Sequence, residues 1–576
     1  MWNKPYQMKN LLVIGTLVFA SLPAFNQDAI FSARSVHHPV IAENGMVASQ
    51  HPLATQVGVE ILKQGGNAVD AAVAVGFALA VVLPRAGNIG GGGFMIVYDA
   101  KKKETKAINY REKAPLKATP NMFLDENGEV DKVRSKYHHQ TVGVPGTVAG
   151  FALALEKYGT MPISKVMQPA ITLAKEGFPI TWDLARVLEV YQKTMKDWPS
   201  SMEIFYKPGG SLYRAGELLV QSDLAWSLEQ IAKDGAAAFY EGAIADKIVT
   251  DMRANGGLIT KKDLKKYTAI EVEPVWGTYK NYKVASMPPP SSGGIHLIQM
   301  LNILEAYDLK GIGSNTAQTI HLMTEAMKRA YADRSKHLGD PDFYDVPTNE
   351  LVAKGYAEFL REGINEEKAT PSSEIAPGNP VDYESEETTH FSVVDKDGNV
   401  VSNTYTLNFS FGTGIVADGT GILLNNEMAD FLHKLGEPNA FGLIEGEANK
   451  VEPEKRMLSA MTPTIVFEND TPYLVTGSPG GSRIITSVLQ VILNTLEHEM
   501  NVAEATHTTR IHHQWQPDVL YIEENLNKDT RVLLEAKGYK LEERTAMGST
   551  QSILVKDGML YGSSDPRRPD AFTKGY

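Results

Sequence analysis

A threonine hydroxyl attacks an amide carbonyl only when a base lies beside it. The nearest base a chain can supply is the threonine's own α-amino group, freed by a cut in front of it. Thr388 lies deep in the chain, in the run Glu386-Glu387-Thr388-Thr389-His390-Phe391-Ser392-Val393-Val394. A new amine there, of pKa about 8, would be partly uncharged at neutral pH. It could take the hydroxyl proton during attack and return it to the leaving group. The same hydroxyl could make the cut by attacking the carbonyl of Glu387, giving an ester for water to hydrolyse. A β-branched residue that merely opens a strand would read the same way.

Acyl transfer also needs donors for the oxyanion. Gly480-Gly481, in the turn before an apolar run, could supply two successive amides at a helix N-terminus. A plain strand-to-helix turn would use the same glycines. Arg111, in Asn109-Tyr110-Arg111-Glu112, could grip a carboxylate with two parallel hydrogen bonds, or form a surface pair with Glu112. Asn425-Asn426-Glu427-Met428-Ala429-Asp430 sets two acids three apart, so that both can share one face of a turn and hold an ammonium. Other chemistries lack their residues. There is no G-x-S-x-G elbow and no H-E-x-x-H, and the glycine run 90–93 lacks the Lys-Ser/Thr of a phosphate loop. The adjacent histidine pairs at 37–38, 138–139 and 512–513 read as ordinary polar residues, not metal ligands.

The elements that must position these groups follow from periodicity. Segment 46–80 has helical spacing broken at Gly65-Gly66-Asn67, and 94–98 is a short buried strand. Helices are expected over 164–176, 183–193, 223–234, 295–306, 317–336 and 484–497. Strands are expected at 390–395 and 400–407 about an Asp397-Gly398 turn, and at 464–467 and 472–476. The run 288–294, Pro288-Pro289-Pro290-Ser291-Ser292-Gly293-Gly294, is either a connector or the wall of a site. Segment 366–387 is polar, with three prolines and acids at its end, and reads as a flexible tether in front of Thr388. Helices early and paired strands late suggest sheets sandwiched between helices.

The 576 residues carry a net charge of -13, which argues against a nucleic-acid partner. There is no cysteine, so disulfides and thiol chemistry are excluded. Lys4 and Lys9 precede an apolar stretch at 11–25, with Ser21 and Ala24 ahead of polar residues. This is the pattern of a cleavable signal over 1–26 and is short for a membrane span. A periplasmic or secreted location, with no stable membrane span, is the expectation.

Together these segments resemble the γ-glutamyltranspeptidase family of N-terminal-nucleophile hydrolases. The marks are 88–94, Tyr110-Arg111-Glu112, Val142-Gly143-Val144-Pro145-Gly146, 288–294, 388–392, 404–408, 424–431 and 476–483. The resemblance implies an α+β, four-layer αββα sandwich. It implies self-cleavage between Glu387 and Thr388 into a large subunit, 27–387, and a small one, 388–576, that stay together as a heterodimer. Thr388 would form a γ-glutamyl ester, and Thr406 would hold its hydroxyl. Gly480 and Gly481 would make the oxyanion hole. Arg111 and Ser459 would bind the substrate α-carboxylate; Asn408, Glu427 and Asp430 would bind its α-amino group. Segment 433–447 would form a lid loop with Phe441 as its aromatic gate. Substrates would be glutathione and other γ-glutamyl compounds, with water, amino acids or peptides as acceptors and no cofactor or metal. Two departures stand out. Ala460 replaces the second serine common after Ser459, and Met457 replaces a common proline. Loss of that hydroxyl favours an alternative, an acylase for glutaryl-type amides of cephalosporins, whereas Asp430 speaks for a substrate with an α-amino group. A non-catalytic periplasmic binding protein on the same scaffold is a third reading.

Overall fold

Alternation along the strands decides the layering. A computed structural model describes residues 35–376, 388–437, 439 and 443–576. In the strand Gly92–Asp99, Phe94, Ile96 and Tyr98 join one apolar cluster, and Met95 and Val97 join another. A strand with both faces apolar is covered on both sides.

Two seven-stranded sheets result, and every neighbouring pair of strands in each is antiparallel. One runs Phe572–Gly575, Met46–Ser49, Thr389–Val394, Val400–Thr406, Gly92–Asp99, Glu104–Tyr110, Ile270–Val272. The other runs Val40–Ala42, Met559–Ser564, Gln551–Lys556, Thr471–Thr476, Thr464–Glu468, Tyr282–Ser286, Val275–Tyr279. Between them lies a cluster drawing Phe94, Ile96 and Val400 from the first sheet and Ala285, Ile465, Val475 and Ile553 from the second. Helices Pro52–Lys63, Ala68–Val82 and Thr147–Tyr158 cover the outer face of the first sheet. Gly293–Leu304, Ala317–His337 and Arg483–Leu496 cover that of the second. The architecture is the expected αββα sandwich.

Apart from Asp70 in its first turn, Ala68–Val82 is apolar all round, and it is buried along its whole length, as a helix between a sheet and further helices must be. Asn67 caps it, with Asp70 completing a capping box. The Tyr405 hydroxyl donates to the Gly76 carbonyl at 2.9 Å, tying the helix to the central strand. Most expected elements are present, with two corrections. Met46–Ser49 is a strand, because pairing with 392–394 overrides the helical spacing read through it. The tether is docked over its first residues. Thr370 N donates to Glu325 Oε1 at 3.0 Å, and Ser372 N and Oγ donate to Asp518 at 2.9 and 2.7 Å. Trp515 Nε1 reaches the carbonyls of Ser372 and Ile375, both at 3.0 Å. Residues 377–387 and the expected signal at 1–26 lie outside the described residues. Among those described, no helix is long and apolar enough to cross a membrane.

A Cβ on Gly76 would meet ring carbons of Phe151 at 2.4 and 2.5 Å. We predict that Gly76→Ala costs about 1–3 kcal/mol through overpacking, read as a lower denaturant midpoint. An unchanged midpoint would contradict this packing.

Candidate active site

Strand register builds the centre of the site. Thr389 pairs with Tyr405 and His390 with Thr404, so one further step sets Thr388 opposite Thr406. The two hydroxyl oxygens are 3.5 Å apart, with Thr388 as donor, at the outer limit of a hydrogen bond. Thr406 Oγ1 accepts from the Asn408 amide at 2.8 Å. Asn408 takes φ +77°, a left-handed conformation that asparagine tolerates better than most residues. Its Nδ2 donates to Asp430 Oδ1 at 2.9 Å and to the Asn426 carbonyl at 3.1 Å. Thr388 is 6 % exposed.

Arg111 follows the strand Glu104–Tyr110 and is buried, so the surface pair with Glu112 does not exist in that form. Its Nη2 donates to Asp430 Oδ2 at 2.6 Å, and its Nη1 lies 2.6 Å from Glu427 Oε2 and 3.5 Å from Glu112 Oε2. The Met457 and Leu458 carbonyls accept from Nε and Nη2 at 3.3 and 3.4 Å. Three carboxylates therefore crowd one guanidinium. Burial pushes Glu112 up to about 7 and raises Glu427 and Asp430 as well, with Arg111 pulling the other way. Removal from water outweighs the single cation. Glu112 Oε1 and Glu427 Oε1 have no hydrogen-bond partner among the described residues. Buried acceptors of this kind are costly until a donor arrives.

The cleft encloses about 360 Å³, counted to its open mouth, and is lined by Thr388, Thr406, Arg111, Asn408, Glu427, Asp430, Ser459, Ala460 and Gly481 among others. The proline-serine run is its buttress: Ser459 N donates to the Pro290 carbonyl at 2.9 Å, and Ser292 N donates to the Ser459 carbonyl at 2.8 Å. Ser459 Oγ accepts from Met461 N at 3.1 Å. Gly480 and Gly481 have φ of +129° and +54°; the first value is open essentially to glycine alone. They precede the helix Arg483–Leu496, and among the described residues no protein acceptor takes up their amides. Gly481 lines the cleft, whereas Gly480 does not.

Thr388, Thr406, Arg111, Asn408, Glu427, Asp430, Ser459, Ala460 and Gly481 thus converge on the cleft, Gly480 adjoins it without lining it, and Glu387 and Phe441 lie outside the described residues. Sequence reasoning missed Arg334, which also lines the cleft. Its Nη1 donates to Glu445 Oε1 at 2.7 Å and its Nε to Ser292 Oγ at 3.1 Å. It missed Asn449 too, whose Nδ2 donates to the Asp430 carbonyl at 2.8 Å and to Glu445 Oε2 at 3.1 Å. A signal existed for Arg334. Its helix, Ala317–His337, buries Glu325, Lys328, Arg329, Asp333 and Arg334, and charges at positions that periodicity assigns to a core need partners.

The solved cephalosporin acylase of Bacillus halodurans matches with a TM-score of 0.82 at 30% identity, covering 96% of this chain and 98% of its own. The solved γ-glutamyltranspeptidase of Helicobacter pylori is 49% identical, with a TM-score of 0.57, over 57% of this chain and 94% of that one. The glutathione hydrolase proenzyme of Escherichia coli (strain K12) is 57% identical over 543 residues, 94% of this chain and 93% of that protein. The family model described as gamma-glutamyltranspeptidase matches residues 54–574. On these matches and this fold, the chain belongs to the gamma-glutamyltranspeptidase family.

Proposed function

We propose that the chain is a glutathione hydrolase and γ-glutamyltransferase, exported by a signal at 1–26 and matured by its own cut between Glu387 and Thr388. The observation that carries this reading is the register that sets Thr388 opposite Thr406 at the edge of a charged, buried cleft. In the precursor, Thr388 Oγ1 attacks the Glu387 carbonyl; the C–N bond breaks as the ester forms, freeing the Thr388 amine, and water then hydrolyses the ester to the Glu387 carboxylate and the Thr388 hydroxyl. The large subunit, 27–387, and the small subunit, 388–576, remain associated.

In the mature enzyme that amine accepts the Oγ1 proton as the oxygen attacks the γ-carbonyl of the substrate. Thr406 orients the hydroxyl. The oxyanion meets the amides of Gly480 and Gly481, donors worth about 3 kcal/mol each. Collapse expels the amine, which leaves with the proton. Water or the amino group of an amino acid or peptide then cleaves the γ-glutamyl ester and restores the hydroxyl. Phe441, on the lid segment, gates entry.

Charge arithmetic favours a zwitterionic substrate end. The cleft and its immediate support hold Glu112, Glu427, Asp430 and Glu445 against Arg111 and Arg334. An α-amino acid brings no net charge: its ammonium takes Asn408, Glu427 and Asp430, and its carboxylate takes Arg111 and Ser459. A glutaryl group would bring a carboxylate alone into a site already rich in acids. Similarity to the cephalosporin acylase of Bacillus halodurans and the presence of Ala460 keep a glutaryl-type acylase as the second reading.

The purified two-subunit protein should release p-nitroaniline from its γ-glutamyl derivative, and the smaller fragment should begin Thr-Thr-His-Phe. A correctly cut sample that releases no chromophore would sink the enzyme reading. Thr388→Ala should run as one uncut band; two bands in that variant would rule out self-cleavage by this residue.

Asp430→Asn removes a charge-assisted bond worth about 1.5–3 kcal/mol, so we predict a rise of roughly 10- to 100-fold in KM for γ-glutamyl substrates. An unchanged KM would remove Asp430 from amine binding. Ala460→Ser should lower KM by up to about tenfold and leave glutaryl amides poor substrates. Glutaryl hydrolysis exceeding γ-glutamyl hydrolysis in the parent protein would favour the acylase.

A further inference from the structure

A second cleft opens at one margin of the sandwich, where the two sheets end. Its lining comes from the edge strand Val275–Tyr279, from Lys283 and Phe467 beside it, from Tyr98 and Thr105 of the opposite sheet, and from Lys103 in the turn between their strands. Its space, open solvent included, is about 1390 Å³, against about 360 Å³ for the first cleft on the same count. None of its lining residues belongs to the first cleft.

Three features give this cleft a chemistry. Its walls are aromatic: Phe467 lies edge-on to Tyr98, with centroids 5.5 Å apart, and 5.6 Å from Trp276. Trp276, on the edge strand, is 43% exposed. Its rim is cationic. Lys283 pairs with Asp470 at 2.5 Å, and Lys354 pairs with Glu305. Lys103 has no acid within ion-pair distance among the described residues, so the rim carries one cation in excess. Asn302, 3% exposed, also lines the cleft. Its Nδ2 donates to the Val352 carbonyl at 2.8 Å, but its Oδ1 is buried with no partner among the described residues. A buried acceptor is worth satisfying, and Asn302 stands in the wall of the cleft.

We propose that this cleft binds a planar aromatic anion. The ring packs on Trp276 and Phe467, the acid group meets Lys103 at the rim, and a ligand N–H or O–H reaches Asn302 Oδ1. Aromatic faces reward ring contacts in offset or edge-on geometry. The excess lysine separates an anion from a neutral ring of the same shape. The site is independent of the chemistry at Thr388.

The test uses the mature two-subunit protein and 1-anilinonaphthalene-8-sulfonate, with its uncharged relative N-phenyl-1-naphthylamine for comparison. The anion should bind saturably, with a fluorescence gain that glutathione does not displace. Trp276→Ala should weaken it by about tenfold. Lys103→Asn, which keeps a residue tolerant of the φ of +56° at that position, should weaken it by about threefold. Both variants should keep their activity on γ-glutamyl-p-nitroanilide. The proposal is overturned if the anion does not bind, if neither variant binds it more weakly, or if the neutral ring binds as tightly as the anion.

Discussion

The registration of two neighbouring strands underlies everything else in this molecule. Thr389–Val394 and Val400–Thr406 are joined by a tight turn at Gly398, whose φ is +82°. A slip of one residue would send Thr406 to the helix side and Tyr405 toward the second sheet. That slip is blocked on both faces. Tyr405 is held by the Gly76 carbonyl. On the other face, His390 Nδ1 meets Thr404 Oγ1 at 2.8 Å and its Nε2 meets Ser392 Oγ at 3.1 Å. Burial keeps that imidazole neutral, pushing it down to about 3. A Cβ on Gly477 would lie 2.3 Å from the same ring. The strand that starts at the threonines and the loop that leads to Gly480 and Gly481 are therefore packed through one side chain.

The charged cleft illustrates a different economy. Arg111 bridges Glu427 and Asp430, and burial disfavours the charged form of Glu112, Glu427 and Asp430 alike. A buried cluster of this kind is weak evidence for stability, because desolvation offsets much of the attraction. It makes better sense as a site whose internal pairs can be exchanged for those of a zwitterion. The charged groups are already buried before that exchange, so each new contact forms in a medium where charges act strongly.

Much of this was legible in the sequence. Strand alternation at 390–394, the Asp397-Gly398 turn and the three-residue spacing of Glu427 and Asp430 all act locally, and local patterns survive into the fold. The resemblance carried the long-range part. What stayed hidden was long-range and unpatterned. No spacing links Arg334 to Glu445, 111 residues away, or Pro290 to Ser459. Met46–Ser49 failed as a helix because its partner strand lies over 340 residues further on. Segment 366–376 looked free because its composition is polar; its anchors, Asp518 and Trp515, are known only once the chain has folded back.

That docked segment and the strand order share one consequence. Both large sheets interleave strands from before residue 377 with strands from after 388: Met46–Ser49 sits between Phe572–Gly575 and Thr389–Val394. Neither half could complete a sheet by itself. A break between the halves would thus leave a native state that had been assembled with an intramolecular search and must afterwards persist without one. Reassembly from two denatured pieces would depend on their concentration, and its order in time would be reversed, since docking would have to accompany the folding that creates the surfaces to dock. For such a molecule the covalent link serves as a scaffold for assembly, dispensable only after the last strand is in place.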